Sequence, residues 1–224
     1  RRHSFPTRRS SDLSKRACDF LGLDYTQEKI ITAHIGNGGS ITAIENGQSV
    51  DTSMGLTPVE GLIMGTRSGD VDLGAITYLM DKEHLDSAAI SDLVNKKSGI
   101  VGISGVSSDM RDIEKAIDEG NPRAKLAMDM YNYHIKKYIG SYAAALNGLD
   151  VLVFTGGVGE NQAGTRQYVC EGLSYLGVEI DSALNAKTRG EEVELSTPNS
   201  KVRVVVIPTD EEFMIASDTL ELVK

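Results

Sequence analysis

The chain has 224 residues, 40% of them hydrophobic and 25% charged, enough for one large globular domain with a buried core. A formal charge of -9 and the absence of tryptophan argue against a nucleic-acid binder, which needs a basic surface and stacking rings. Cys18 and Cys170 are too few for a disulfide framework or a metal cluster, and the longest apolar runs fall short of a membrane span. These features predict a soluble cytoplasmic protein with reduced thiols, touching neither membrane nor nucleic acid.

Residues 1–13 (RRHSFPTRRSSDL) stand apart. Arg1, Arg2, Arg8 and Arg9 against Asp12 make them basic, they are rich in serine, and they show no hydrophobic period. They are expected to form no packed element and to be disordered or non-native. A basic targeting or RNA-binding arm is the alternative. Residues 14–22 read as the end of a helix, so the chain is expected to begin inside a domain, with residues 14–224 forming its structured part.

Lys29–His34 is a β-branched run that leads into IGNGGS and then Ile41–Ile44. Asn46-Gly47 is a hairpin signal, and Gln48–Met54 completes a three-stranded antiparallel meander. Helical patterns follow over Leu73–Glu83, Asp86–Lys96, Asp109–Glu119 and a long stretch from Pro122 to about Leu146, with Pro122 suited to the first helical turn. Val151–Phe154 is a wholly apolar strand entering GGVGEN, with helix pattern beyond it to Leu176. Val202–Ile207 is a second such strand, running through PTDE into a closing helix over Phe213–Val223. Apolar runs without alternation belong to strands covered on both faces, so the expected fold is α/β: a mixed sheet with helices on both sides.

Four segments carry candidate chemistry. In His34-Ile35-Gly36-Asn37-Gly38 a strand runs into glycines that let backbone amides approach an anion; a plain glycine-rich hairpin explains the same pattern. Arg67, flanked by small residues, suits phosphate oxygens, or else forms a surface ion pair with Asp70 or Asp72. Gly156–Asn161 (GGVGEN) sits at a strand end opening a helix, where ligands of α/β folds bind. The carboxylates of PTDEE either cap the following helix or hold Mg²⁺. His84 and His134 are given no role.

Taken together, HIGNG, DTSMGLTPVEGLIMGTRSGD, SSDMRD, FTGGVGEN and IPTDEE resemble, in order and spacing, the acetate kinases, over about Ser14 to Lys224. The resemblance implies the actin/hexokinase/Hsp70-like ATPase fold. This chain would be chiefly its second ribonuclease-H-like lobe, the nucleotide-binding C-terminal one. It implies transfer of the ATP γ-phosphoryl group to acetate, giving acetyl phosphate and ADP, with Mg²⁺ as cofactor and a homodimer as the assembly. Arg67 would stabilise the transferring phosphoryl group. His34, Ile35, Gly36, Asn37 and Gly38 would face the phosphates, Asp109, Met110 and Arg111 would line the adenosine site, Gly157, Val158, Gly159, Glu160 and Asn161 would form the second nucleotide loop, and Glu211 would serve the metal. Met110 stands where the family more commonly has phenylalanine. The family's catalytic aspartate, acetate-site arginine, transition-state histidine and N-terminal asparagine have no counterpart here, so this chain alone is expected to be inactive. A propionate kinase and a non-catalytic nucleotide-binding or dimerising module are the alternatives.

Overall fold

The computed structural model describes residues 5–209, with side chains from Asp12 onward. One mixed sheet organises it. Strands β1 (Lys29–Ile35), β2 (Gly39–Glu45) and β3 (Gln48–Thr52) form the antiparallel meander. Strands β4 (Val151–Thr155) and β6 (Arg203–Val206) extend it in parallel with β1, and β5 (Val193–Glu194) closes the far edge, giving the order β3-β2-β1-β4-β6-β5.

The three parallel strands lack alternation because both of their faces are covered. Ile31, Ala33, Ile35, Leu152, Phe154, Val204 and Val206 join the larger core. Its helical side comes from α4 (Gly99–Ser104), α5 (Met110–Asp118), α6 (Pro122–Ala145) and α8 (Ala163–Glu171), through residues such as Ile100, Ile113, Ile135 and Val169. On the opposite face Ile30, Ile44, Val151, Val153, Val205 and Ile207 pack on Ala17 and Cys18 of α1 (Phe5–Leu21). Burial pushes the Cys18 and Cys170 thiols up to about 11 and 12, so both are protonated at neutral pH.

Caps set the helix ends. Asp72 opens α2 (Leu73–Glu83), Asp86 opens α3 (Ser87–Lys96), Asp109 opens α5 and Asn121 opens α6, each accepting backbone N–H groups. Helices α2 and α3 bury no residue fully and lie outside both cores. No described helix is long and apolar enough to cross a membrane.

Several expectations are corrected. Helix α1 begins at Phe5, so the segment expected to form no packed element is helical from there, and Leu13 packs on the α1-side core. The pattern after GGVGEN is broken: α7 (Gly156–Asn161) ends at extended Gln162 before α8 starts. Helix α4, α9 (Ser182–Lys187) and β5 were not expected. The closing helix over Phe213–Val223 lies outside the described residues, as does Glu211.

The meander turn offers a direct test. Asn46 and Gly47 both have positive φ, 51° and 78°, as a two-residue hairpin turn of the favoured hand requires. A Cβ on Gly47 would sit 3.1 Å from the Tyr25 ring. Gly47→Ala is expected to cost about 1–2 kcal/mol of stability, read from the urea-unfolding midpoint; an unchanged midpoint would contradict this.

Candidate functional site

Strands β1, β4 and β6 run parallel, so their C-terminal ends share one edge of the sheet. Each end meets an irregular or glycine-bearing segment: 36–38 after β1, Gly156–Asn161 after β4, and Pro208-Thr209 after β6. Such an edge is where α/β sheets hold ligands.

The segments touch. Gly36 N donates to Gly38 O at 2.8 Å, closing a tight turn. A Cβ on Gly36 would lie 3.7 Å from Gly157 N, which places the first two loops side by side. Gly156 has φ 78°, and a Cβ there would come within 2.8 Å of Ile35 O, so only glycine lets β4 turn this close to β1.

Arg67 joins them from the loop over 61–70. A Cβ on Gly38 would sit 3.4 Å from Arg67 Nη1. Gly65 N donates to Asn37 O at 2.8 Å, and the Asn37 side chain and Ser108 O occupy the space a Gly65 side chain would need. Thus the β1–β2 turn, the Arg67 loop and the segment leading to Asp109 meet at one place. The Arg67 guanidinium is half-buried and, among the described residues, makes one hydrogen bond, to Met64 Sδ at 3.6 Å. The ion pair weighed for it with Asp70 or Asp72 is not formed. Asp70 accepts from Gly61 N and Tyr138 Oη, and Asp72 caps α2.

Other predicted residues have structural work. Ile35 is fully buried and Met110 and Val158 nearly so; the Ile35 side chain belongs to the core and its backbone is registered against Gly39 of β2. His34 lies half-buried on β1 opposite Ser40 and Thr155. Asp109 caps α5 and pairs with Arg111 at 2.5 Å; the Arg111 hydrogen bonds hold its carboxyl down at about 2. Glu160 Oε1 accepts from Gly156 N (2.8 Å), Thr209 N (3.0 Å) and Thr209 Oγ1 (3.1 Å), so it braces the loops after β4 and β6. Asn161 Nδ2 donates to Gly157 O.

The sequence reading missed Arg166. It is wholly buried and donates to Gly159 O, Asn185 Oδ1, Asn185 O and Thr188 O at 2.7–3.1 Å, fastening α7 to α9. Burial lowers its pKa to about 10, which leaves it charged at neutral pH. Only its place in the helix pattern after GGVGEN was visible. Also missed was a groove of about 580 Å³ lined by Ser68, Asp70, Lys97, Met130, His134 and Lys137, which includes none of the predicted site residues.

The Acetokinase family model matches residues 1–217. An acetate kinase from Parabacteroides distasonis is 63% identical over 222 residues, covering 99% of this chain and 56% of that protein. The crystal structure of Porphyromonas gingivalis acetate kinase superposes with a TM-score of 0.93 at 62% identity, covering 95% of this chain and 53% of that one. A propionate kinase structure from Francisella tularensis gives 0.85 at 40% identity, covering 93% and 53%. The chain spans about half the length of the relatives it matches. The mixed sheet is therefore an actin/hexokinase-like lobe of the kind these kinases share.

Proposed function

Because this chain belongs to the acetokinase family, we propose that it is the nucleotide-binding C-terminal lobe of an acetate kinase. The protein would transfer the γ-phosphoryl group of ATP to acetate. The observation that carries the reading is the convergence of the two glycine loops, the Arg67 guanidinium and the 108–111 segment on the edge where three parallel strands end.

In the proposed reaction a carboxylate oxygen of acetate attacks the γ-phosphorus in line. The bond from that phosphorus to the β,γ-bridging oxygen breaks, and ADP leaves with the electron pair. Little covalent work falls to the protein; positioning and charge stabilisation do most of it. Backbone N–H groups of 37–38 and 157–159 would hold phosphate oxygens. Arg67, with five N–H donors in a planar fork, would brace the equatorial oxygens of the transferring group. Asp109, Met110 and Arg111 would border the adenosine, and His34 the phosphates. Mg²⁺, when bound to the phosphates, neutralises their charge, and one or two carboxylates suffice to hold it; Glu211 is proposed for this.

Glu160 is proposed to act by shaping both loops, since its contacted oxygen already serves three donors. Pairing of two copies through this lobe is part of the same reading.

The test uses the complete protein with MgATP and acetate. Acetyl phosphate, trapped by hydroxylamine as the hydroxamate, is the expected product, and its absence would reject the assignment. A higher kcat/KM with propionate would move the acceptor to the longer acid, an alternative favoured by the close fit to a propionate kinase. The 224-residue chain alone is expected to bind MgADP in calorimetry without turnover; measurable turnover would show that this lobe suffices.

A further inference from the structure

The loop that carries Arg67 is closed at its base by one residue, through its side chain and its backbone. Gly61 N donates to Asp70 Oδ1 at 2.9 Å and Asp70 N donates to Gly61 O at 3.0 Å, so residues 61–70 form a ring. The second carboxylate oxygen of Asp70 accepts from Tyr138 Oη at 2.6 Å. Tyr138 stands on α6, the 24-residue helix that lines the larger core. Its ring is held edge-on by His134 on one side and Tyr142 on the other, with centroids 5.7 and 5.8 Å away. Burial, with Asp70 adding to it, pushes the Tyr138 phenol above its ordinary value, so it remains a hydrogen-bond donor at any working pH.

The ring has further anchors: Ser68 N on Val94 O at 2.9 Å, Thr66 Oγ1 on Asn95 O at 2.9 Å, and Gly65 N on Asn37 O at 2.8 Å. These bind it to α3 and to the β1–β2 turn, and Ser98 N on Thr66 O (3.1 Å), Ile100 N on Met64 O (2.9 Å) and Val101 N on Gly65 O (3.0 Å) bind it to the start of α4. At its base the Asp70 carboxylate adds a hydrogen-bonded tie to the long helix, beside the packing of Leu62 and Ile63 in the core that α6 lines. Met64 N also donates to Arg67 O at 3.1 Å, so residues 64–67 form a closed turn within the ring.

We propose that Tyr138 and Asp70 are positioning residues for Arg67: the phenol–carboxylate hydrogen bond locks the 61–70 ring to α6 and so sets where the guanidinium meets the transferring group. The inference rests on the phosphotransferase reading of Arg67. Neither residue touches substrate in this scheme. Both act through the loop, as supporting groups that hold a catalytic side chain within a fraction of an ångström.

The experiment is a double-mutant cycle in the complete protein, with the Arg67 Nε–Hε resonance as a readout independent of activity. Tyr138→Phe is expected to lower kcat about five- to tenfold, with nucleotide KM within about twofold, and to shift and broaden the Arg67 resonance. In the Arg67→Ala background the same change is expected to cost nothing further, because the group it positions is gone. Asp70→Asn, which keeps an acceptor for Gly61 N, is expected to fall between wild type and Asp70→Ala. Thermal unfolding of each variant separates a misplaced loop from a damaged fold. An equal loss of kcat in both backgrounds, or an Arg67 resonance unchanged by Tyr138→Phe, would overturn the proposal. A perturbed resonance alongside an Arg67→Ala variant of normal kcat would uphold the positioning and reject the catalytic reading of Arg67.

Discussion

Arg67→Ala, made in the complete protein, is expected to lower kcat by about two to three orders of magnitude while the nucleotide KM moves only a few-fold. The expectation comes from how the side chain is left. A guanidinium offers five N–H donors, and here the only hydrogen-bond acceptor it meets among the described residues is a thioether sulfur, Met64 Sδ. The two carboxylates nearest in sequence are committed elsewhere, Asp70 to the loop base and Asp72 to the cap of α2. A half-buried cation with no carboxylate partner among the described residues, set beside a glycine turn, suits the proposed role of meeting an anion supplied from outside. In the proposed role its largest effect would fall where negative charge spreads over three equatorial oxygens, in the transition state, so the loss is expected in kcat. Arg67→Lys keeps the charge and loses the planar fork, and is expected to recover only a small part of the rate. Steady-state kinetics in ATP and acetate check both, and an Arg67→Ala variant with undiminished kcat would remove Arg67 from the reaction.

The second large effect concerns stability. Arg166→Met is expected to destabilise the lobe by about 3–5 kcal/mol, a cost typical of breaking a buried charged network. Methionine approximates the volume, so cavity formation is a minor part of the loss. What remains is Gly159 O and Asn185 Oδ1 stripped of this guanidinium, while Thr188 O keeps Arg189 Nη1 and Asn185 O keeps a long bond from Thr188 N. Each buried acceptor left alone costs about 1–3 kcal/mol, and some will recruit water. Since Gly159 lies in the second glycine loop, nucleotide affinity should fall along with stability. Urea unfolding and MgADP calorimetry on the same variant test this. An unchanged unfolding midpoint would mean that α9 is held by other contacts.

Much of the fold was legible because its signals are local. Asn46-Gly47 fixes a turn through its own backbone preference, and Asp72, Asp86, Asp109 and Asn121 announce helix starts by capping residues two or three positions ahead. The apolar runs around Val153 and Val205 read correctly as strands covered on both sides. Helices α4 and α9 escaped because six residues are under two turns, too few for a period to register. The two-residue β5 carries no pattern at all. Helix α1 reaches back to Phe5 through a segment whose composition gives no amphipathic stripe.

The candidate site divides in the same way. Glycine turns at strand ends are visible in the sequence, and the resemblance assigned their ligand. What braces the Arg67 loop was not visible, because Tyr138 lies 68 residues from the Asp70 it holds. For the same reason Glu160, read as a ligand-facing group, is found joining two loops 49 residues apart. Long-range hydrogen bonds between ordinary-looking residues leave no trace in a single sequence, and they do much to hold this site in place.

The parallel pairing of β1 with β4 also constrains how the lobe can be made. The meander of β1, β2 and β3 closes early, but β1 pairs on its other side with residues 151–155, which follow it by more than a hundred positions. At ribosomal speeds of about 5–20 residues per second, that open edge waits on the order of ten seconds for its partner. Until then a β-branched, hydrophobic strand presents unpaired N–H and C=O groups to any other chain. This central strand is thus expected to be an aggregation-prone element of the lobe during synthesis. Chaperone dependence and rare-codon sensitivity should concentrate in the interval between Ile35 and Val151.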